Sequence, residues 1–258
     1  MHESVETMPT NKSQVAGSTQ LQRPKVIATI PCYNEERFIG EIVLRAKKYV
    51  DQVIVVDDGS HDGTAQAARA AGALVVTRES NDGAGAATKS CFEAAKANHA
   101  DIVVTLDGDN QHTPDEIPRL IDPILKGEAD LVIGSRFLEG KNDVPRYRKF
   151  GIQVITWLFN IGSKVRVSDA QSCFRAHSRR LAETISISES GFGFSVEVLI
   201  KAREKEFVIK EVPISCLYHS ESSTINPVIH GLIIVFAILK LRSHKWRQRL
   251  LLRSFLKA

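Results

Sequence analysis

The four cysteines, Cys32, Cys91, Cys173 and Cys216, stand at no zinc-binding spacing from one another. That argues against a thiolate metal clip or a disulfide framework, and the thiols are expected to be packing residues in a reducing compartment. Met1 to Gln22 is polar and has no apolar run, so a secretory leader is not expected there, and residues 1–23 read as a disordered tail. No glycine-rich turn follows the first apolar run, which argues against a dinucleotide-binding fingerprint. No internal repeat or low-complexity segment follows the tail. The apolar stretch Val228 to Leu241 would reach only about 21 Å as a helix, against roughly 30 Å of bilayer core, so it is too short to span. Acids are missing beyond it: Lys240, Arg242, Lys245, Arg247, Arg249, Arg253 and Lys257 run with none between them. The +4 formal charge is therefore unevenly distributed, and this acid-free cluster points to an anionic surface. No aromatic stacking platform accompanies it, which argues against nucleic acid.

What is there is an ordinary globular composition, 43% apolar and 25% charged over 258 residues, enough for one large α/β domain with an extension. Lys25 to Ile30 reads as a buried strand ended by Pro31, followed by a helix to about Val50. Val53 to Val56 is a second strand, then come a helix from Thr64, a strand Leu74 to Thr77 and a helix from Gly85 to about Asn98. The turn opening that helix, Asn81 to Gly85, is either a phosphate cradle or a plain helix entry. A fourth strand ends in Leu106, and Thr113-Pro114-Asp115-Glu116 reads as a capping box opening the next helix. Asp130 to Gly134 is a fifth strand. Beyond it are expected a basic loop to Lys149, a helix from Phe150 to about Lys164, a short strand after Asp169, a short helix Ser178 to Ile185, a helix Ser195 to Lys205 and late strands around Pro213. Alternation of this kind predicts a mostly parallel, doubly wound sheet over 24–225. Residues 226–258 are expected to form an amphipathic basic helix in the membrane interface, with a buried core helix as the alternative.

Acids gather at the carboxyl ends of these strands, where open α/β sheets bind ligands: Glu35 and Glu36, Asp57 and Asp58, Asp107 and Asp109. Two carboxylates one residue apart repel. A shared proton would relieve that, and so would a hard divalent cation that also takes phosphate oxygens. Asp107-Gly108-Asp109 alone fits a solvated turn as well as a metal site, with Gly108 allowing a close backbone approach. Arg136 after the fifth strand adds a cation to the same edge.

Ile30-Pro31-Cys32-Tyr33-Asn34-Glu35, Val55-Val56-Asp57-Asp58-Gly59-Ser60, Asp107-Gly108-Asp109-Asn110-Gln111-His112, Gly134-Ser135-Arg136-Phe137 and Asp169-Ala170-Gln171-Ser172-Cys173-Phe174-Arg175 resemble family 2 glycosyltransferases of the GT-A fold. Within them the match is to the dolichol-phosphate mannose synthase-like enzymes. The resemblance runs from about Pro24 to Tyr218. It implies a hexosyltransferase moving sugar, with inversion, from a nucleotide-sugar to a polyprenyl phosphate, with a glycan or glycolipid as the alternative acceptor. Pro31, Tyr33, Glu35, Val56 and Asp58 would then line the nucleoside pocket, and Asp107, Asp109 and Gln111 would hold Mg²⁺ or Mn²⁺ against the donor diphosphate. Gly108 would lie against the donor. Arg136 would face a phosphate, and Asp169, Gln171 and Ser172 would sit at the sugar end. Asp109, Asp169 and Arg136 are the expected catalytic residues, with Asp169 positioning first and removing a proton second. Arg146 and Arg148 are candidates for the lipid phosphate, with a solvated basic loop as the alternative, and Glu197 for a sugar hydroxyl or its own helix cap.

Departures from that pattern keep the donor open between GDP-mannose and a UDP-hexose. Ser215 to Thr224 holds no Arg or Lys, with only His219 as a partial substitute; Ala84 stands where the family often has Lys, and Cys173 where it often has Gly. A sugar nucleotidyltransferase would need a glycine-rich basic turn after the first strand. A phospho-acceptor signalling module would leave Asp107 to Gln111 unexplained. The expected location is peripheral, on the cytoplasmic face of a membrane, with an integral-membrane partner or a second copy as potential companions.

Overall fold

The computed structural model describes residues 23–139, 144–163, 165–217 and 231–241. The expected tail at 1–22, His219 and the basic run beyond 241 lie outside them. Alternating apolar strands and amphipathic helices give β1 (Val26–Cys32), α1 (Glu36–Ala46), β2 (Gln52–Asp57), α2 (Thr64–Ala70), β3 (Leu74–Thr77), α3 (Ala84–Ala97) and β4 (Ile102–Thr105). Then follow α4 (Ile117–Leu125), β5 (Leu131–Ser135), α5 (Arg146–Asn160), β6 (Arg175–Ser178), α6 (Arg179–Thr184), α7 (Phe194–Glu204) and β7 (Ile209–Pro213). The sheet order is β3-β2-β1-β4-β6-β5-β7. Among the described strands only β6 runs antiparallel to its neighbours.

The chain reaches β2 and β3 on one side of β1 and then crosses to β4 on the other. The crevice where that order reverses lies between the ends of β1 and β4. Along β1, Val26, Ala28 and Ile30 face a core shared with Ile39, Ile42, Ile117 and Leu120 of α1 and α4, while Ile27 faces Ala95 of α3. A further core joins Ile155 and Phe159 of α5, Leu181, Leu199 and two residues of a helical segment at 231–241, Ile234 and Ile238. Among the described residues no helix is long and apolar enough to cross a membrane.

Several boundaries differ from expectation. β1 continues through Pro31 to Cys32. The Cys32 carbonyl bonds toward β2 through Asp58 N–H, and the Thr29 carbonyl toward β4 through Leu106 N–H. By alternation the donor Pro31 lacks would face β4, whose pairing with β1 stops at Thr29. The capping box does not form: Pro114–Glu116 is a 3₁₀ turn, Thr113 makes no side-chain cap bond, and Glu116 instead accepts from the Ser215 N–H at 3.1 Å. α1 stops at Ala46. α5 starts four residues early, directly after Pro145, which suits a helix start, and is over before Gly162 with its positive φ of 69°. Arg146, Arg148 and Lys149 therefore stand on a helical turn, not on a loop. Among the described residues the late strands reduce to β7 and one bridge, His112 with Cys216.

Candidate active site

The turns after β1 and β2 are laced together. Asn34, at a left-handed φ of 56°, accepts the His61 N–H on its side chain at 2.9 Å. Its own N–H donates to Ser60 Oγ at 2.9 Å. Glu35 N–H donates to Thr64 Oγ1 at 2.8 Å. Tyr33 stays partly exposed beside the edge of His61. Asp58 is buried, its carboxylate held by Arg78 Nε at 2.7 Å and by the Gly83 N–H at 3.1 Å. It therefore builds one wall with Arg78, a cation that spacing alone did not single out although it follows β3 on the same sheet edge. Val56 does not line the pocket as expected. It is fully buried with Ala87 and Cys91 because its side chain points to the α3 face of the sheet.

The turn after β4 leans on the end of β1. A Cβ at Gly108 would come within 2.6 Å of Cys32 Sγ, so this glycine is needed for close packing inside the protein. Gln111 turns its side-chain N–H onto the Asp109 carboxylate, and its backbone N–H donates to the same group at 3.1 Å. Gln111 thus orients the Asp109 carboxylate through its two N–H donors. Burial pushes the Asp107 carboxyl well up from its ordinary range, and the Asp109 charge pushes it further; Arg136 and Arg175 pull it back only in part. His112, with Nδ1 at 3.7 Å from Asp107, is held down to about 3 by burial and is neutral. Two crowded carboxylates at a strand end, flanked by a neutral histidine, suit a divalent cation completed by phosphate oxygens and water. Among the described residues no group of three or more His, Cys, Asp or Glu side chains could hold a metal unaided.

The turn 168–173 joins this edge through Thr105, whose hydroxyl donates to the Cys173 carbonyl at 2.8 Å. Asp169 is completely buried. It takes the Arg136 fork at 2.7 and 2.9 Å and the N–H groups of Gln171 and Ser172 at 3.1 Å each. Burial alone would raise this carboxyl, but the Arg136 guanidinium and these donors hold it below the usual range. Glu211 of β7, another residue not singled out, accepts the N–H groups of Ser168 and Asp169 and fixes the turn from behind. Gln171 Nε2 and Ser172 Oγ are buried polar atoms without a partner among the described residues. Each such orphan costs about 1–3 kcal/mol unless a ligand or water meets it.

The residues of this crevice fall inside a match to the family described as glycosyl transferase family 2, over residues 28–186. The chain belongs to this family. Among its relatives in the family is UDP-N-acetylglucosamine–dolichyl-phosphate N-acetylglucosaminyltransferase of Methanococcus voltae, 30% identical over 84% of this chain and 95% of that protein. The polyprenol monophosphomannose synthase of Mycolicibacterium smegmatis is 31% identical over 81% and 84%. The glucosyl-3-phosphoglycerate synthase of Mycobacterium tuberculosis, solved with Mn²⁺, UDP-glucose and phosphoglyceric acid, superposes with a TM-score of 0.68 at 24% identity, over 84% and 79%. That likeness carries the fold of this family 2 glycosyltransferase.

Other candidate residues of the glycosyltransferase sit as follows. The N-terminus of α3 is no phosphate cradle, because the Ser190 carbonyl already takes the N–H groups of Gly85 at 2.7 Å and Ala86 at 3.2 Å. Glu197 neither caps its own helix nor stands free for a sugar; it accepts from Ser188 and Glu189 N–H and pairs with Lys201 at 2.6 Å. Arg146 and Arg148 stand on the first turn of α5. That helix supports the 168–173 turn through Thr156 Oγ1, which accepts the Ala170 N–H at 3.2 Å. Burial pushes the Cys32, Cys91 and Cys173 thiols up, as inert packing residues require.

Proposed function

We propose that this glycosyltransferase moves a hexose from a nucleoside-diphosphate sugar to a polyprenyl phosphate at a membrane surface, on its cytoplasmic face. The observation that carries the reading is the crowded Asp107–Asp109 pair at the sheet's switch point, beside a turn whose Gln171 and Ser172 polar atoms lack partners. The relatives that use dolichyl and polyprenyl phosphates support the acceptor class. The UDP-sugar relative and the absence of Arg or Lys in Ser215 to Leu217 put UDP-hexoses ahead of GDP-mannose in a donor panel.

Asp107 and Asp109 would hold Mg²⁺ or Mn²⁺, which supplies positive charge to the departing diphosphate. Pro31, Tyr33 and the Asp58–Arg78 wall bound the nucleoside end. Gln171 Nε2 and Ser172 Oγ are the donors available to sugar hydroxyls. An oxygen of the acceptor phosphate, already anionic at neutral pH, forms the new bond to the anomeric carbon as the bond to the diphosphate breaks. No strong base is needed, so Asp169 acts by holding Arg136 and the turn in place.

Incubation with radiolabelled nucleotide-sugars, polyprenyl phosphate and Mn²⁺ should carry label into the organic phase. Asp109→Ala should lower that transfer about 100-fold or more, the scale of losing a main electrostatic stabiliser. Undiminished transfer by this variant would overturn the metal assignment, and no lipid-linked label with any donor would overturn the acceptor class.

A further inference from the structure

The helix α5 presents two unlike faces. Ile155, Thr156 and Phe159 are buried, and Thr156 holds the catalytic turn from beneath. On the outward side Tyr147, Phe150, Val154, Trp157 and Ile161 follow one another at spacings of three and four, and are 38% to 69% exposed. That spacing places them in one stripe. A solvated helix face carries charge in such positions, and this one carries three aromatic rings and two β-branched side chains. The helix has no acid, and Arg146, Arg148 and Lys149 cluster at its first turn.

We propose that the outward stripe of α5 docks on an anionic lipid bilayer, and so sets the height of the catalytic turn above the acyl boundary. Aromatic rings with a polar edge, such as Tyr147 and Trp157, prefer the headgroup level, and the basic first turn complements anionic headgroups. A second exposed apolar set, Leu232, Ile233, Phe236 and Leu239, lies on the segment 231–241. Its opposite face enters the same core as that of α5. Because α5 also brackets Val167 through both polar atoms of the Asn160 side chain, at 2.8 and 3.1 Å, a bilayer under the stripe is rigidly tied to residues 167–170. One helix diameter, about 10 Å, would then separate the lipid surface from Asp169 and its neighbours. The inference rests on the proposed acceptor only for its purpose.

The chain has two tryptophans, Trp157 and Trp246, so a Trp246→Phe protein reports on α5 alone. Mixed with acceptor-free vesicles of phosphatidylglycerol and bromine-labelled phosphatidylcholine, it should show a blue shift and quenching of Trp157. Phe150→Ser with Trp157→Ser in the full chain should weaken vesicle co-sedimentation about tenfold or more. Both positions are exposed, so thermal midpoints should match, which keeps misfolding out of the reading. Vesicle binding with Trp157 unquenched would overturn the proposal in favour of the C-terminal run. Concentration-dependent dimerisation that shields Trp157 without lipid would overturn it in favour of a second copy. Equal quenching on neutral vesicles would overturn the headgroup part. The double variant should keep transfer to a short water-soluble prenyl phosphate and lose transfer to a vesicle-borne acceptor. If the unaltered protein glycosylates neither acceptor, the proposed function fails while the docking result still stands.

Discussion

A carboxylate whose oxygens both accept hydrogen bonds from cationic and backbone donors resists protonation near neutral pH, and both oxygens of Asp169 do. One accepts from Arg136 Nη2 and from Gln171 and Ser172 N–H, the other from Arg136 Nε. Removing one partner of a buried pair costs about 3–5 kcal/mol, because the other is left charged and unmatched. Asp169→Asn should therefore lower stability by about that amount in urea unfolding at pH 7. Its carboxyl is held below the unfolded value, so the ionised form stabilises the fold above the unfolded pKa, and that contribution is lost as pH falls through the folded one. The gap between the two proteins should be full at neutral pH and close below about pH 4. A gap that widened in acid would contradict the sign. The sequence made Asp169 and Arg136 visible as site residues, but not as partners. They lie 33 positions apart, and the contact exists only because β5 and the 168–173 turn end at the same edge. Val56 departs from the expected lining for a related reason: the acids that follow it mark the crevice, while strand alternation sends Val56 itself into the core.

Helix ends carry the same lesson at the next scale. The apolar periodicities located α1 to α5 and α7, but their ends were fixed by contacts from elsewhere in the chain. Glu116 was free to cap its helix by spacing alone, yet it binds Ser215, about a hundred residues on. The N-terminus of α3 is closed by Ser190 in the same way, and this closure is testable through two glycines. A Cβ at Gly85 would stand 2.0 Å from the Glu189 carbonyl oxygen and 2.8 Å from that of Gly191, both backbone atoms that must move. A Cβ at Gly151, within α5, would meet nothing within 4 Å. Gly85→Ala should destabilise the protein by about 1–3 kcal/mol, as overpacking does. Gly151→Ala should be neutral or stabilise by up to about 1 kcal/mol, because it relieves the backbone entropy of a helical glycine. Differential scanning calorimetry would read both, and equal behaviour would mean that segment 189–191 does not seal α3.

At the scale of the whole molecule, alternation of strands and helices sufficed for an α/β sheet, but the antiparallel β6 was hard to foresee in full. Arg175-Ala176-His177-Ser178 is polar, and its pairing with β4 and β5 on both sides follows from tertiary placement. The segment 231–241 posed a different problem. Its apolar residues suited both a core helix and an interface helix, and periodicity could not choose because both faces are apolar. In the structure Ile234, Ala237 and Ile238 are buried, with Ala237 over Gly193, while Leu232, Phe236 and Leu239 remain exposed. Cutting the chain after Asn226 would therefore strip two large side chains from the core, at about 2–5 kcal/mol for each lost. Such a truncation should unfold far more readily in urea, so its loss from membranes would say little about docking. Phe236→Ser with Leu239→Ser alters only the exposed face. It should leave the urea midpoint close to that of the unaltered protein while weakening co-sedimentation with anionic vesicles. If these exposed changes destabilised the fold as much as Ile234→Ala, the two faces of the segment would have been assigned the wrong way round.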